Sequence, residues 1–174
     1  CTDGNIVINE PIGNMVVTLT DDTVINIPVP VKPLPLETYA QQYEFDVGQT
    51  KSVVFPSGVL EISNFFADGC ADLISVTFPN TLKKIGDSAF SGTALSNIDL
   101  PDTIETIGSM AFANLQSASA TLTCRATTPP LLGYNAIETY PPVITAIYVP
   151  SASVTDYQQA TNWSQYASII SAIV

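Results

Sequence analysis

Short stretches of the chain alternate apolar and polar residues, and a proline closes each of them. In LISVTFP (73–79), Val76 and Phe78 share one side, and LSNIDLP (95–101) has the same alternation. Residues two positions apart point to the same face of a strand, so this pattern predicts β-strands with one buried side. The proline should end each strand, because it cannot donate a hydrogen bond to a neighbouring strand.

A second pattern follows each proline. Apolar residues then recur three or four positions apart, as at Leu82, Ile85, Ala89 and Phe90. This spacing predicts a short helical turn or 3-10 stretch, with Gly86 available for a tight bend. Each segment therefore predicts a strand, a reversal and a return of the chain.

The combined pattern is repeated along the chain. Residues 73–90 align with residues 95–112 at an offset of 22, and ten positions keep the register. An imperfect copy that begins at Val53 precedes them at an offset of 23, with Ser63 in place of the glycine. A period of this length is typical of repeat proteins such as the leucine-rich repeats.

Two shorter copies follow, LTCRATTPP (122–130) and ITAIYVP (144–150). Both keep the strand and its proline, and we expect both to lack the turn. A single unit cannot bury its own apolar face, so consecutive units are expected to stack. Stacking predicts one continuous ladder of strands over residues 50–150, with these residues aligned inside: Val53, Val76, Ile98, Leu122 and Ile147.

The complete string L-x-x-[IV]-x-[LF]-P-x-x-[LI]-x-x-I-G-x-x-A-F resembles the BspA-type leucine-rich repeat of bacterial surface proteins. The resemblance extends over roughly residues 50–174, because the last segment is similar to the C-terminal end of that family. It implies a β-rich repeat solenoid with short helical or 3-10 turns, wound as a right-handed coil. It also implies a location at the cell surface or in the secreted fraction.

Both ends of the chain differ from the repeat. MVVTLTDDTVINI (15–27) predicts a β-hairpin that either packs on the first repeat or extends from it as an appendage, followed by a proline-rich connector. We divide the chain into residues 1–36 (tether, hairpin and connector), 37–150 (leucine-rich-repeat domain) and 151–174 (a C-terminal cap). The cap is predicted as an amphipathic helix, with Trp163 as a packing residue, from these apolar positions: Val154, Tyr157, Trp163, Tyr166, Ile169 and Ile170.

Composition narrows the function. The formal net charge is −11, from 16 acidic and five basic residues, so nucleic-acid binding is not expected. The chain has no histidine and no C-x-x-C motif, and we expect no metal, no cofactor and two buried, reduced thiols at Cys70 and Cys124. No catalytic motif is present, so we expect no enzyme; a carboxylate-based hydrolase is the least favoured alternative.

Cys1 is the one sign of processing. Many members of the resembled family are lipoproteins whose mature chain begins at a lipidated cysteine. Cys1 is therefore a candidate lipidation site, which would make the protein an outer-membrane lipoprotein. The alternative is that the numbering merely begins at this residue. A lipid anchor at Cys1 would be the one expected contact with a membrane.

The outward side of the strands is the candidate binding surface. Stacked strands place their outward residues about 4.8 Å apart, which suits an extended partner. The candidate binding residues are Ser75, Thr77, Asn97, Asp99, Thr123 and Tyr148. The resemblance implies adhesion to a host matrix protein or glycan, and the alternative is a structural or accessory subunit of a surface complex that handles polysaccharide. An ordinary solvated sheet face explains the same residues without any binding.

Overall fold

A computed structural model describes residues 12–30, 32, 46–137 and 143–174 of the chain. Cys1 and most of the proline-rich connector lie outside these residues. The strands are β1 (Gly13–Leu19), β2 (Val24–Val29), β3 (Thr50–Val54), β4 (Glu61–Ile62), β5 (Ser75–Thr77), β6 (Lys84–Ile85), β7 (Asn97–Leu100), β8 (Thr106–Ile107), β9 (Ala120–Cys124), β10 (Leu131–Leu132), β11 (Ile144–Val149) and β12 (Ile170–Ala172).

The strands form three sheets of four strands each within the described part of the chain. The first sheet has the order β2-β1-β3-β5, and the second has the order β7-β9-β11-β12. The third sheet, β4-β6-β8-β10, consists of two-residue strands on the returning side of each repeat. Strands from consecutive repeats pair in parallel, as expected for stacked units that all run in the same direction. This parallel pairing between consecutive repeats confirms a β-rich repeat fold.

The N-terminal hairpin is confirmed, and it packs on the first repeat. β1 pairs antiparallel with β2 and, on its other side, with β3. Of the two arrangements that the sequence left open, the structure therefore has the hairpin covering the first repeat. β2 extends to Val29 and includes Pro28, which the sequence assigned to the connector. A proline is tolerated there because β2 is the edge strand of its sheet.

The register of the repeats agrees with the sequence alignment. Val53 lies beside Val76 in the first sheet, and Ile98 lies beside Leu122 in the second. The prediction of one continuous ladder is nevertheless wrong, because Val76 and Ile98 belong to different sheets. The row of strands is interrupted between β5 and β7, where the alignment shows no irregularity.

The repeat that begins in β9 keeps its turn, contrary to our expectation. Leu132 in β10 pairs with Ile107 in β8, and Gly133 and Ala136 follow as the glycine and alanine of the motif. Ile107 and Leu132 are 25 positions apart, whereas the alignment assumed 22 or 23. Three additional residues before β10 concealed this copy.

The glycine of the motif is needed for close approach between repeats, not for a tight bend. A β-carbon on Gly108 would lie 2.6 Å from the backbone nitrogen of Asp87 in the preceding repeat. Gly86 meets the backbone of Asn64 in the same way, and neither glycine has a positive φ. Ser63 is tolerated at the equivalent position, because no motif turn precedes it among the described residues.

The core is a column of apolar side chains between the sheets. The rings of Phe90 and Phe112 stack at 5.5 Å with an interplanar angle of 8°, and both are fully buried. This confirms the predicted contact between equivalent residues of consecutive repeats. Phe66 continues the column, with its ring 5.8 Å from that of Phe90.

The predicted C-terminal amphipathic helix is mostly wrong. The α-helix α1 covers only Val154–Gln159, between 3-10 turns at Ser151–Ser153 and Ser164–Ile169. It ends because Ala160 is extended and Asn162 has a φ of 64°. Ile170 is then part of β12, where it pairs with Ile147. The cap is therefore a short helix followed by a strand that extends the second sheet.

Trp163 is a packing residue of this cap, as predicted. Its side chain is fully buried, and its Nε1 donates a hydrogen bond to the carbonyl oxygen of Pro130 at 2.8 Å. Its ring meets that of Tyr157 edge-on at 5.0 Å. None of the described helices has the length and apolarity needed to cross a membrane.

Candidate binding cleft on the strand face

The outward surface of the first and second sheets, here called the strand face, carries all six candidate residues. Ser75 and Thr77 project from β5, and Asn97 and Asp99 project from β7. These four side chains are exposed, whereas Thr123 in β9 and Tyr148 in β11 are half-buried. Their neighbours Ile98, Leu122 and Ile147 are buried on the inward side. The predicted alternation of inward and outward residues is thus confirmed.

The interruption of the strand face lies between β5 and β7. At the start of these strands, the amide of Ala94 donates to the carbonyl oxygen of Leu73 at 3.0 Å. No backbone hydrogen bond of the described residues then joins β5 to β7, which form edges of two different sheets. Phe55, Phe78 and Leu100 occupy equivalent inward positions of three consecutive repeats. The interruption coincides with the change from phenylalanine to the smaller leucine at this position.

A cleft of about 310 Å³ occupies this gap, and we call it the β5–β7 cleft. Its outer rim is polar and its floor is apolar. The lining residues are Ile74, Ser75, Val76, Thr77, Phe78, Asn97 and Asp99. The structure thereby brings four of the six candidate residues together around one cavity.

The floor of the cleft consists of side chains that would normally belong to the core. Val76 is half-buried, although its equivalents Val53 and Ile98 are 0% and 1% exposed. Phe78 is also half-buried, and its ring stacks on that of Phe55 at 6.3 Å. Sequence reasoning missed both residues as site residues, because their alternation is the same as in the closed repeats. The change from Phe78 to Leu100 at the opening is visible in the sequence, but both residues satisfy the same motif position.

Asp99 on the rim forms an ion pair with Arg125. The guanidinium donates from Nε to Oδ1 at 2.8 Å and from Nη2 to Oδ2 at 2.9 Å. The hydrogen bond and the charge of the Asp99 carboxylate raise the pKa of Arg125. The negative charge of the rim is therefore compensated. Arg125 directly follows β9. It was missed as a site residue because basic residues were considered only as a possible cluster for binding nucleic acids.

The other two candidate residues lie at a second depression on the same face. Thr123 and Tyr148 line a cavity of about 350 Å³. Arg125 completes one wall, and Ile173 and Val174 form another. The single strip predicted from the sequence is therefore two depressions, and the ion pair between Asp99 and Arg125 separates them.

Acidic residues dominate the remaining charge. Four of the five basic residues form ion pairs, with donor–acceptor distances between 2.7 and 3.5 Å: Lys32 with Glu61, Lys51 with Asp22, Lys83 with Glu105, and Arg125 with Asp99. Seven further carboxylates of the described residues are exposed and lie outside these ion pairs. Such a surface repels phosphate- and sulfate-rich ligands.

The two inner thiols are buried, as predicted, and no disulfide joins Cys70 to Cys124. The hydroxyl of Tyr157 lies 3.2 Å from the sulfur of Cys124 and donates to the carbonyl oxygen of Ala126 at 2.8 Å. Burial raises the pKa of the Cys124 thiol. Within the described ranges, no cluster of three or more histidine, cysteine, aspartate or glutamate residues could hold a metal ion.

Parallel strands at a period of 22–25 residues, stacked aromatic side chains and a glycine at each close approach define the class of leucine-rich-repeat proteins. The model of the BspA-type leucine-rich repeat region matches residues 38–159 in six copies. This match spans more than half of the chain, which therefore belongs to the BspA-type leucine-rich-repeat family. No curated protein is significantly similar to the chain. Proteins with this repeat are typically associated with surfaces and are generally not catalysts.

Proposed function

We propose that this protein is a non-catalytic recognition protein of the cell surface that attaches to a host matrix protein or glycan through its strand face. The observation that supports this proposal is the β5–β7 cleft. Four residues chosen for outward orientation alone surround a cavity with a polar rim and an apolar floor. Ligand sites in proteins typically combine a concave apolar surface with a few placed polar groups.

The scaffold suits such a role. Repeats are joined by ladders of parallel strands, and across the β5–β7 gap the pairing of β6 with β8 in the third sheet still joins the two repeats. The side chains on the rim are short, and their positions follow directly from the backbone. A ligand therefore meets a surface that needs little ordering on binding, which lowers the entropic cost of association.

The location at the cell surface is part of the proposal. A lipid on Cys1 would anchor the chain to an outer membrane and leave the strand face available to partners. Mass spectrometry of the N-terminal peptide from the native host tests the anchor, with a diacylglycerol or acylated cysteine as the expected result. An unmodified residue preceding Cys1 in the mature chain would contradict the lipid anchor but would leave recognition by the strand face intact.

The second candidate function is an accessory subunit of a surface complex that handles polysaccharide. The compensated charge at the rim favours it, because the cleft has no clustered cations with which to attract an acidic protein segment. In this function the protein would retain a polysaccharide near other subunits. Co-purification from the native membrane distinguishes the two functions, since an accessory subunit should remain bound to stable partner proteins and an adhesin should not.

Binding to immobilised extracellular-matrix proteins and glycans tests the strand face. The double variant Asn97→Ala/Tyr148→Ala should lose at least tenfold in affinity for any ligand of the wild type. The matched control is Lys84→Ala/Thr106→Ala, in which the changes lie on the third sheet; this variant should bind like the wild type. If the double variant retains full affinity for every ligand, the strand face is not the site.

Tyr148 alone separates binding from packing. Its ring lines the second depression beside Ile173 and Val174, so it could serve a ligand or cover the cap. A role in binding predicts weaker attachment for Tyr148→Ala with an unchanged melting temperature, because tyrosine is enriched among the residues that dominate binding energy. A packing role predicts a lower melting temperature without selective loss of binding.

A further inference from the structure

We propose that the β5–β7 cleft binds an uncharged carbohydrate chain, with the rim of Ser75, Thr77 and Asn97 contacting hydroxyl groups and Phe78 contacting a sugar ring. This inference rests on the proposed function, because it names the class of ligand for the same face. Four features of the cleft favour such a ligand: its width, its exposed backbone edges, its floor and its charge.

The width of the cleft excludes an extended peptide paired with both edges. Residues of β5 and β7 approach within 8 Å between Cα atoms. A strand inserted between them would need two interstrand spacings, about 9.6 Å. A peptide strand therefore cannot be inserted along the full length of the gap.

The gap between the edges of β5 and β7 carries both hydrogen-bond donors and hydrogen-bond acceptors. Because no hydrogen bond joins β5 to β7 in the described structure, amide and carbonyl groups of both edges face the gap. An aliphatic side chain that entered here would remove these groups from water without replacing their hydrogen bonds. A hydroxyl group both donates and accepts, so a polyhydroxylated ligand can satisfy either edge.

The floor of the cleft offers an apolar surface to the same ligand. Phe78 is held by the ring of Phe55 on one side and by the ring of Phe90, 5.5 Å away, on another. Its remaining surface and Val76 form the bottom of the cavity. The C–H groups of a pyranose ring form an apolar patch that can lie on this surface while the hydroxyl groups face the rim.

The charge of the site indicates that the carbohydrate is neutral. Arg125 forms two hydrogen bonds with Asp99, so neither charge is free to pair with a charged ligand. Beyond this pair, the net charge of −11 disfavours sulfated or uronic sugars. Acidic polysaccharides should therefore bind more weakly than neutral ones of the same length.

Isothermal titration with defined sugars tests the inference. The neutral probes are hexasaccharides of glucose, mannose, xylose and galactose, and the acidic probes are heparin and oligogalacturonate. At least one neutral probe should bind. Ser75→Phe, which places a ring over the rim, and Asn97→Ala should each lower its affinity at least tenfold. The matched control is Thr121→Ala, because Thr121 is the partner of Asn97 in β9 but does not line the cleft.

Thermal unfolding of each variant verifies that it is folded, and all three changes are on the surface. If the neutral probe binds Ser75→Phe as well as the wild type, or if an acidic probe binds more tightly, the inference is overturned. If extracellular-matrix proteins bind in a manner sensitive to Ser75→Phe and no sugar binds, the inference is wrong and the proposed function stands. If neither class binds, both are wrong.

Discussion

The Arg125 guanidinium donates two parallel hydrogen bonds to the Asp99 carboxylate, with distances of 2.8 and 2.9 Å. The pair joins β7 to the residue that follows β9 and separates the two depressions of the strand face. Roughly half of each side chain is exposed to solvent, 51% for Arg125 and 49% for Asp99. The pair is therefore placed to shape the strand face more than to stabilise the fold.

The coupling free energy between Asp99 and Arg125 should be at most about 1 kcal/mol, because exposed ion pairs are screened by water. Urea unfolding of Asp99→Ala, Arg125→Ala and the double variant measures it. The pair of Lys83 and Glu105, with a single contact at 2.7 Å, is the matched comparison and should couple less. A coupling energy above about 2 kcal/mol for Asp99 and Arg125 would contradict this assignment.

Replacing Phe112 with alanine should lower the free energy of unfolding by about 3–5 kcal/mol. The side chain is fully buried and stacks on Phe90, so its loss leaves a cavity between two repeats. Phe65 provides the control, because 56% of it is exposed, and Phe65→Ala should cost less than about 1 kcal/mol. Chemical denaturation measures both, and equal losses would refute the stacked column.

Gly108→Ser should destabilise the protein by about 1–3 kcal/mol or more. The added β-carbon would lie 2.6 Å from backbone atoms of both Gly86 and Asp87, and a backbone cannot move aside as a side chain can. Ser63→Gly is the reciprocal change at the equivalent position of the first copy and should cost about 1 kcal/mol or less. If Gly108→Ser unfolds at the same temperature as the wild type, the close approach of the repeats is not rigid.

The stability of the fold should decrease at alkaline pH. Burial raises the pKa of both Cys124 and Tyr157, so both groups stay neutral in the folded state. In the unfolded chain they lose their protons near about pH 8.5 and pH 10. Above about pH 8.5 the unfolded state therefore binds fewer protons, and the stability falls as the pH rises.

Melting temperatures measured between pH 7 and pH 10.5 check this expectation. The decrease should be smaller in Cys124→Ala, in which the buried thiol is absent. An equal decrease in the wild type and in Cys124→Ala would show that other groups control the alkaline transition.

The sequence predicted the repeat register because stacking imposes the same environment on equivalent residues. The register predicts that Phe90 and Phe112 point inward and lie next to each other, and their rings stack in the structure. Predictions from the sequence were wrong where the same apolar spacing is compatible with two different structures. The copy at Leu132–Gly133 was missed because of its longer spacing, and Ile170 was assigned to a helix because its apolar spacing fits a helix and a strand equally well.

The sequence by itself determined the repeat units and the orientation of the six candidate side chains, because these follow from local periodicity, and its motif string carried the resemblance to the family. Only the tertiary structure decided that Val76 and Ile98 belong to different sheets, and hence that a cleft exists. A ladder forms or opens according to the distance between whole repeats, and here it opens where the inward side chain changes from Phe78 to the smaller Leu100. Since these residues satisfy the same motif position, the alignment could not distinguish a closed ladder from an open one.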